Sequence, residues 1–420
     1  MYLVYSLLYC IALVFIFPFQ YFKRPREMRK RWLREKFGLF HAPLSTLHSG
    51  YIWVHAVSVG EVMAAIPLLK KLKERYPSKG IVLSTITDTG QKVARERSPE
   101  GTTVIYLPFD ISSILKPVLE RSLPALLIVI ETELWPNMLR VFKLHGIPVI
   151  LLNGRISDNS FKGYKKISFF MKTVLSHIDF FGMQGEIYVE RIVRLGVDKS
   201  RVRNLGNFKF DTQPPLDIPR WTEKIQGPVI VAGSTHEGEE ALITAVYMKL
   251  KTDFPHLNLI IAPRHPERFK DVEEMLASKK ISFIKRTSLN THSPGPDHIR
   301  GTLILLDSMG ELSALYGIAT IAVIGKSFRG YGGQNPLEPA FWGKAIVCGP
   351  HMENFPLVED FYRHGAAAEV SEDGLYETLK EMLASPEKAK DIGSKARELS
   401  MKNTGAVGRS IEIISRYISA

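Results

Sequence analysis

The feature of this sequence that most constrains its fold is a strand–helix alternation that runs twice along the chain. Short apolar runs rich in β-branched residues alternate with longer segments of helical spacing. This rhythm predicts βαβ units, and therefore parallel sheets that are buried on both faces. The predicted strands are 51–58, 80–86, 104–109, 125–130, 147–153, 180–184 and 202–207, followed by 227–234, 257–263, 281–286, 302–307, 318–325 and 344–350.

The two runs are separated by residues 206–221, which contain three prolines and show no apolar periodicity. Such a segment is typical of a linker between domains. We therefore predict an N-terminal Rossmann-like domain at 23–213 and a C-terminal one at 214–420, with the last helix as a candidate to pack back on the first domain. Within the first domain, Pro67 is expected to kink the helix predicted from 61 to 75.

The N-terminus predicts a membrane anchor. Residues 1–22 carry no charged side chain, and as a helix they extend about 33 Å, enough for a bilayer core. Residues 23–36 contain eight basic and two acidic side chains, half of the net charge of +12. The absence of a basic start and of small residues at a cleavage site favours an anchor over a signal peptide. The basic cluster places the body in the cytoplasm, Trp32 fits an interfacial belt, and Pro18 leaves open a helix that enters only one leaflet.

Several classes of function lose support. The two cysteines, Cys10 and Cys348, indicate neither a disulfide framework nor a cysteine metal site. His236 and His265 lack the spacing of zinc ligands and are expected to be ordinary hydrogen-bonding residues of loops. Gly325-Lys326-Ser327 lacks the earlier glycine of a Walker A loop, and no GxGxxG is present, so a P-loop nucleoside triphosphatase and a Rossmann dehydrogenase are both disfavoured. No nucleic-acid motif is present, and we expect no nucleic-acid partner.

Glutamates stand where predicted strands of the first half end. Glu61 follows the strand 51–58, and the segment ETELWPN brings Glu131 and Glu133 directly after the strand 125–130. Ligands of open parallel sheets bind beyond the carboxyl ends of the strands, so these carboxylates are candidates for a site. Glu61 is placed to take a proton from a hydroxyl group. A glutamate in a first helical turn also complements the helix dipole, so the residues alone leave both roles open.

The second half carries polar residues at similar positions. GSTHEGEE offers the hydroxyls of Ser234 and Thr235 and backbone N–H groups at a predicted helix start, which can bind an anion or simply cap the helix. Arg264 ends a predicted strand and can grip a phosphate or form a surface ion pair. Glu338, behind a glycine-rich loop, can bind ribose hydroxyls or cap its own helix. Together these features favour a sugar-nucleotide enzyme.

Seven motifs occur in order along the chain: HAVSVGE, ETELWPN, NLGNFKFD, GSTHEGEE, APRHPERF, DSMGELSALYG and GGQNPLEPA. With this order and spacing, the whole chain resembles the 3-deoxy-D-manno-octulosonic acid (Kdo) transferases of lipopolysaccharide assembly. The resemblance implies an inverting GT-B glycosyltransferase with two Rossmann-like domains facing a cleft. It implies CMP-Kdo as the donor, a lipid A precursor (lipid IVA) as the acceptor, and no metal or other cofactor. The expected location is the inner membrane, contacted through the anchor and residues 23–36, with the catalytic domains on the cytoplasmic side.

The resemblance also implies roles for individual residues. Glu61 resembles the general base that activates the acceptor hydroxyl. Glu131 and Lys209 resemble positions that stabilise the transition state. The residues that resemble the CMP-binding segments are Pro263, Arg264, Met309, Gly310, Glu311, Asn335, Pro336, Leu337 and Glu338; Ser234 and Thr235 join them as candidates from the anion-site pattern.

Two positions depart from the family pattern: Lys326 stands where many relatives have a second glycine, and Asp88 stands where proline is common. The basic residues that can meet acceptor phosphates, or remain solvated surface charges, are Arg155, Lys162, Lys165 and Lys166. The alternatives are a membrane-associated GT-B enzyme that uses a UDP-sugar and a lipid-linked acceptor, a nucleotide-binding adaptor without turnover, and a nucleic-acid binder.

Overall fold

The computed structural model describes residues 1–40, 50–211, 217–289, 298–330 and 332–418. The chain divides into two compact units, the first formed by Met1–Thr212 with Thr404–Ala420 and the second by Gln213–Asn403. Each unit contains one parallel sheet of seven strands. The repeated strand–helix alternation therefore predicts the fold class correctly.

The sheet of the first unit has the order β3-β2-β1-β4-β5-β6-β7, and all its pairs are parallel. Its strands are β1 (Ile52–His55), β2 (Ile81–Thr85), β3 (Thr102–Tyr106), β4 (Leu126–Ile130), β5 (Val149–Gly154), β6 (Phe180–Met183) and β7 (Val202–Asn204). Alternate residues of the central strands enter different clusters: Trp53 and Val129 lie on one face, and Val54 and Ile128 lie on the other. Both faces are covered, as continuous apolar strands require.

The first unit contains helices, several of which cover the two faces of its sheet. They are α1 (Tyr2–Lys23), α2 (Arg26–Lys36), α3 (Val59–Arg75), α4 (Asp88–Arg97), α5 (Ser112–Arg121), α6 (Pro136–Leu144), α7 (Asp158–Lys166), α8 (Ser168–Leu175) and α9 (Glu186–Arg194). The chain returns to this unit at its end, where Ala406 and Ile414 join the core that contains Val62 and Leu69 of α3. The carboxylate of Asp211 accepts hydrogen bonds from backbone N–H groups at the start of that last helix.

The sheet of the second unit has the order β10-β11-β9-β8-β12-β13-β14, again with parallel pairs. Its strands are β8 (Val229–Thr235), β9 (Asn258–Pro263), β10 (Phe283–Lys285), β11 (Leu303–Leu305), β12 (Ile321–Ile324), β13 (Ala345–Cys348) and β14 (Ala368–Glu369). The two-residue β14 was not predicted, since so short an edge strand carries almost no sequence pattern.

The helices that follow are α10 (Glu239–Asp253), α11 (Phe269–Ser278), α12 (Leu312–Leu315), α13 (Leu337–Phe341), α14 (Val358–Arg363), α15 (Leu375–Ala384) and α16 (Pro386–Lys402), with α17 (Ala406–Ile414) in the first unit. Short 3₁₀ helices lie at Lys199–Arg201, Phe208–Asp211, Arg220–Lys224, Pro266–Arg268, Arg286–Leu289 and Tyr316–Ile318. They join or extend the regular elements.

The helix α3 is continuous from Val59 to Arg75 and contains Pro67 in its interior. The boundary between the two units, at Thr212 and Gln213, lies within the predicted linker 206–221. Both ends of this segment are structured, because Phe208 and Trp221 are buried in the cores of their units; its residues 212–216 lie outside the described part of the chain. The prediction that Trp32 lies at a lipid boundary is wrong, because Trp32 is completely buried against Phe109.

Candidate active site

In the first unit, the catalytic candidates follow two neighbouring strands. The strands β1 and β4 are paired in parallel at the centre of the sheet, and the chain order reverses between them, with β2 and β3 on one side and β5 to β7 on the other. Such a topological switch point is where open α/β sheets bind ligands, beyond the carboxyl ends of the strands. Glu61 lies just after β1 and Glu131 just after β4.

The carboxylate of Glu61 is hydrogen-bonded to the residues at the start of α3. It accepts hydrogen bonds from the backbone N–H of Val57 at 2.7 Å and from the hydroxyl of Ser58 at 2.8 Å, so the capping alternative describes part of its role. Burial raises the pKa of Glu61 to about 7; the two hydrogen bonds oppose that change, and the charges of Glu133 and Glu131 add to it. A pKa near neutrality is the range in which a carboxylate serves as a general base.

Glu131 occupies an uncommon backbone conformation, with φ at +59°. Left-handed backbone is unfavourable for a residue with a side chain, and it is often found at functional sites. The next residue, Thr132, fixes the loop through hydrogen bonds between its hydroxyl and the main chain of Arg155. Burial raises the pKa of the Glu131 carboxyl, and the positive charges of Arg155 and Lys209 partly offset that effect.

Lys209 lies on the short 3₁₀ helix Phe208–Asp211. The backbone there is held by the side chain of Asn153, whose oxygen accepts a hydrogen bond from the N–H of Phe208 at 3.0 Å. Burial lowers the pKa of Lys209, and the charge of Glu131 raises it. The structure therefore brings Glu61, Glu131 and Lys209 into one electrostatically coupled group.

Two further members of this group had no role assigned from the sequence. Burial and the charge of Glu131 raise the pKa of Glu133, and burial and the charge of Glu133 raise the pKa of Tyr164. The signal for Glu133 was its place two residues after Glu131, within the same motif. Tyr164 had no such signal, because it lies on α7 among lysines and only the fold brings it to the carboxylates.

In the second unit, the structure brings Arg264, Asn335 and Glu338 together. Burial raises the pKa of Glu338, while hydrogen bonds from Asn335 and Ser313 and the charge of Arg264 lower it. The Asn335 amide donates to Glu338 at 3.4 Å, and its oxygen accepts from the N–H of Leu337 at 3.1 Å. The Arg264 side chain is exposed at the end of β9. The group therefore pairs an accessible cation with a carboxylate that is held in place.

Glu311 belongs to a different cluster. Its carboxylate accepts a bidentate pair of hydrogen bonds from Arg286 at 2.8 and 2.9 Å, and another from Trp221 at 3.4 Å. The guanidinium group of Arg286 lies 5.2 Å from the centre of the Trp221 ring. Burial raises the pKa of Glu311, but these hydrogen bonds outweigh burial and leave the pKa below its ordinary value. The carboxylate is directed toward Arg286 and acts as a structural anchor for its loop.

The remaining candidates of the second unit occupy varied places. Pro263 is the buried last residue of β9, and Pro336 and Leu337 are buried at the start of α13. Met309 is exposed, and Gly310 has φ at +91°, a conformation that favours glycine. These residues can therefore contact a ligand through their main-chain atoms and through the side chain of Met309.

The segment GSTHEGEE is arranged differently from the anion site that its sequence predicts. The Thr235 hydroxyl is buried and donates to Glu240 at 3.1 Å, and Ser234 has φ at +56°. The helix α10 begins after Gly238 and has no side-chain cap. Because Glu240 is buried beside this helix start, the N-terminal positive end already faces a carboxylate of the chain itself.

Glu239 is a structural residue that sequence reasoning missed. Its carboxylate is completely buried and accepts hydrogen bonds from the backbone N–H groups of His236, Lys326, Phe328 and Arg329, at 2.7 to 3.3 Å. It therefore joins the loop after β8 to the loop after β12. Nothing in the local sequence distinguishes it from an ordinary acidic residue of a first helical turn.

Within the described residues, no group of three or more His, Cys, Asp and Glu side chains is placed to hold a metal ion. His236 bonds to the carbonyl oxygen of Ser234 at 3.1 Å, as expected for a loop residue. His265 packs edge-on against it, with ring centres 5.5 Å apart. These imidazoles shape the loops after β8 and β9.

Comparison with known proteins gives a consistent result. The family model of 3-deoxy-D-manno-octulosonic-acid transferase (kdotransferase) matches residues 31–212. The 3-deoxy-D-manno-octulosonic acid transferase of Haemophilus influenzae is 34% identical over 405 residues, which cover 94% of this chain and 93% of that protein. This chain belongs to the Kdo transferase family. It is therefore a glycosyltransferase, and the resemblance drawn from the seven motifs is confirmed.

Solved structures agree on the fold of this Kdo transferase. The UDP-GlcNAc 2-epimerase of Neisseria meningitidis matches with a TM-score of 0.59 at 12% identity, over 87% of this chain and 100% of the other. A glycosyltransferase of Rickettsia africae matches with a TM-score of 0.57 at 14% identity, over 89% of this chain and 100% of the other. The fold class is GT-B, as predicted.

The two departures from the family pattern have clear places in the transferase. Lys326 has φ at +58°, a conformation that glycine adopts without strain, and its N–H is held by Glu239. Asp88 accepts hydrogen bonds from Arg24 at 2.9 Å and from the hydroxyl of Tyr106 at 2.7 Å. Asp88 thus ties the segment after α1 to the rim of the first sheet.

Proposed function

We propose that this Kdo transferase moves Kdo from CMP-Kdo to a lipid A precursor, lipid IVA, with inversion at the anomeric carbon and without a metal ion. The first unit supplies the acceptor chemistry and the second unit binds the nucleotide. The observation that carries the proposal is the buried Glu61, with its pKa near 7, at the switch point of the first sheet and coupled to Glu131 and Glu133. A sugar hydroxyl that meets this carboxylate can lose its proton as it attacks.

In the proposed step, a hydroxyl oxygen of the acceptor attacks the anomeric carbon of Kdo while its proton passes to the Glu61 carboxylate. The bond from the anomeric carbon to the phosphate oxygen breaks, and CMP leaves with the bonding electron pair. The phosphate is a good leaving group, so the step needs no strong general acid. Base and leaving group on opposite faces of the sugar give inversion.

The charges around Glu131 suit the transition state of this step. The Kdo ring acquires oxocarbenium character, which a neighbouring carboxylate stabilises, as in glycosidases. The Lys209 ammonium and the Arg155 guanidinium group lie close enough to Glu131 to lower its pKa. We assign Glu131 to the developing positive charge of the ring, and Lys209 to the negative charge that remains on the donor.

The nucleotide is assigned to the Arg264, Asn335 and Glu338 group. An exposed guanidinium group suits the CMP phosphate. The Glu338 carboxylate, fixed by Asn335 and Ser313, suits ribose hydroxyls. Glu311 and Glu239 hold the surrounding loops through hydrogen bonds to other parts of the second unit.

The test is a product mass. Purified protein is incubated with freshly generated CMP-Kdo and a tetraacylated lipid A precursor, beside the Glu61→Ala variant. The proposal predicts added mass in whole Kdo units with the unaltered protein and none with the variant. Full turnover by Glu61→Ala would refute the assignment of the base.

One alternative donor remains to be tested in the same assay. If the unaltered protein is folded and gives no Kdo product, competition by CMP against UDP for binding decides between CMP-Kdo and a UDP-sugar. We expect CMP to compete and UDP to have little effect. The reverse order would favour the UDP-sugar alternative.

We also propose that α1 attaches the protein to the inner membrane, with both units on the cytoplasmic side. The helix is 22 residues long and apolar enough to cross a membrane, with a mean hydropathy of 2.2, and many of its large apolar side chains are exposed. Cell fractionation with protease protection of the body tests this location. Degradation of the body only from the periplasmic side would contradict it.

A further inference from the structure

The helix α1 has two different faces. Leu3, Val4, Leu7, Leu8, Ile11, Val14, Phe15, Phe19 and Phe22 are exposed, at 47 to 86% of their surface. The half-buried positions recur at helical spacing on the opposite face and include Tyr2, Tyr5, Ser6 and Tyr9. A free membrane-spanning helix is surrounded by lipid on all sides and has no need of such a polar stripe.

The polar face is built into the first unit through Asp110, which is 1% exposed. The Tyr5 hydroxyl donates to the Asp110 carboxylate at 2.8 Å, and the Tyr9 hydroxyl accepts from its N–H at 3.3 Å. The same carboxylate accepts from the N–H groups of Asn137 and Met138 at the start of α6, at 3.0 and 2.6 Å. A buried carboxylate needs such partners, and α1 provides one of them.

The start of α1 is held as firmly as its middle. The Tyr2 ring packs edge-on against Phe170 of α8, with ring centres 5.8 Å apart. The guanidinium group of Arg140 lies 4.7 Å from the centre of the same ring. Phe170 also contacts Tyr5 at 6.0 Å, so α8 supports the first two turns.

The end of α1 is anchored by aromatic packing and by one buried cation. Phe17 contacts the buried Trp32 at 5.6 Å between ring centres. Arg24, only 8% exposed, lies 4.2 Å from the Trp32 ring and bonds to Asp88 at 2.9 Å. The whole length of α1 is therefore in contact with the first unit, and no turn of it is free to enter a bilayer alone.

From this arrangement we propose that α1 is an in-plane interfacial helix, fixed to the first unit through its tyrosine face, which inserts its opposite apolar face into one leaflet of the membrane. A spanning orientation would carry the polar groups of the first unit into hydrocarbon, which is strongly unfavourable for groups without hydrogen-bond partners. An in-plane orientation buries only the exposed side chains, as amphipathic interfacial helices do.

The partner is an anionic lipid surface, because apolar and basic groups continue beyond α1. Ile167 and Phe169, 51 and 77% exposed, lie on either side of the start of α8, whose Phe170 packs on α1. The preceding helix α7 has no fully buried residue and carries three exposed lysines, at positions 162, 165 and 166. Apolar side chains flanked by lysines match a leaflet with negative headgroups.

This inference deepens the proposed function, on which its last step rests. The helix α6 directly follows the loop that carries Glu131 and Glu133, and Tyr9 contacts Trp135 at the end of that loop, with ring centres 6.5 Å apart. The helix α1 and the loop that carries Glu131 and Glu133 are therefore held to each other through the start of α6. An acceptor in the same leaflet would meet these carboxylates at a fixed height above the membrane.

The test measures depth and needs no turnover, so its outcome is independent of the proposed reaction. In a Cys10→Ser background, the variants Leu3→Cys, Ile11→Cys and Phe19→Cys are labelled with a fluorophore. They are bound to vesicles of phosphatidylethanolamine and phosphatidylglycerol that carry quenchers at known depths. Cys348 is completely buried, and Glu74→Cys, at an exposed side chain of α3, is the control for the unit surface.

We expect the three labels of α1 to be quenched at one similar, shallow depth of about 5–10 Å, and the label at position 74 to remain unquenched. Quenching of position 11 near the bilayer centre, with positions 3 and 19 near opposite surfaces, would overturn the proposal in favour of a spanning helix. Failure of all three labels to be quenched would overturn it as well.

A second measurement tests the coupling to the acceptor loop. The double variant Tyr5→Phe/Tyr9→Phe keeps both rings and removes the two hydroxyls at Asp110. We expect faster hydrogen exchange at the start of α6 in this variant, and unchanged exchange in Tyr21→Phe, whose ring stacks on Phe17. Unchanged exchange in the double variant would refute the coupling.

Discussion

Several buried or half-buried glutamates at the rims of the two sheets have different surroundings. In the first unit, burial raises the pKa of Glu61, Glu131 and Glu133, and the charge of Glu131 adds to the rise at Glu61 and Glu133. In the second unit, Glu239 accepts four backbone hydrogen bonds, and Glu311 is paired bidentately with Arg286. The same residue type thus has a raised pKa in the first unit and supports the backbone through hydrogen bonds at these two positions of the second.

The difference lies in the number of hydrogen-bond donors that face each carboxylate. A buried carboxylate with few donors and like-charged neighbours has a raised pKa. A carboxylate with several backbone donors organises the backbone around it. This difference agrees with the proposed division of labour, in which the first unit activates the acceptor and the second binds the nucleotide. Substitutions that remove the charge of a glutamate but keep its shape can distinguish a role in proton transfer from a role in supporting the backbone.

The largest effect is expected for Glu61→Gln, which keeps the shape of the side chain and removes its ability to take a proton. The turnover number should fall by about 10²- to 10⁴-fold, the usual contribution of a general base. Glu74→Gln is the matched control, since Glu74 lies on the same helix with an exposed side chain, and it should keep full activity. Steady-state kinetics with CMP-Kdo and lipid IVA make the comparison.

The stability of the Glu61 variant gives an independent readout. Because the folded-state pKa of Glu61 is raised, its contribution to stability falls as pH rises from about 4.5 to about 7. Glu61→Gln should lack this fall, so chemical denaturation at pH 5 and pH 8 should show a smaller difference than in the unaltered protein. If Glu61→Gln were unfolded at pH 8, its inactivity would follow from loss of the fold, which would contradict the assignment of Glu61 as the base.

The next effect is on stability and concerns Glu239. Glu239→Ala leaves four backbone N–H groups without their acceptor, and the free energy of unfolding should fall by roughly 2–5 kcal/mol. Glu237→Ala is the control, because the Glu237 side chain is 92% exposed, and it should change stability little. Urea denaturation followed by circular dichroism measures both variants. An equal loss in both would contradict the supporting role of Glu239.

A smaller effect is expected on donor binding. Arg264→Ala should weaken binding of CMP by about 10- to 100-fold, the loss of a charged hydrogen-bonding partner. Arg363→Ala removes an exposed arginine of the second unit whose side chain is 71% exposed, and should leave binding intact. Calorimetric titration with CMP measures both. Unchanged affinity in Arg264→Ala would move the phosphate site elsewhere in this unit.

The smallest effect is a shift in pH dependence. Since the charge of Glu133 raises the pKa of Glu61, Glu133→Gln should move the acidic limb of the kcat/KM profile to lower pH. Glu311→Gln, in the second unit, should leave the position of that limb unchanged. A shift in the opposite direction would show that Glu133 does not face Glu61 in the working enzyme.

The sequence supports the fold well because each buried parallel strand is a continuous apolar run. The alternation gives thirteen of the fourteen strands named above and misses only the short β14. The proline-rich stretch 206–221 correctly marks the boundary between the units. Its composition does not reveal that Phe208 is buried, because that burial depends on tertiary contacts.

The positions of several candidate residues were predictable because they follow a strand closely. Glu61, Glu131 and Arg264 fall in that class, since the carboxyl ends of parallel strands meet at one edge of the sheet. Glu239 and Tyr164 were not predictable, since their partners lie far away in sequence and no local pattern marks them. The face of α1 that packs on the first unit was not predictable either, because hydropathy shows that a segment is apolar but not which of its faces contacts protein.

The central claim is that Glu61 is a base whose pKa is raised by its burial at the carboxyl-end edge of the first sheet. The most direct test is a pH titration of its carboxyl group by infrared difference spectroscopy, with the Glu61→Gln spectrum subtracted, beside the kcat/KM profile. We predict a midpoint near 7, where burial places this pKa, and an acidic limb of kcat/KM at the same pH. A midpoint near the ordinary value of 4.5, or a rate that does not follow the titration, would contradict the claim.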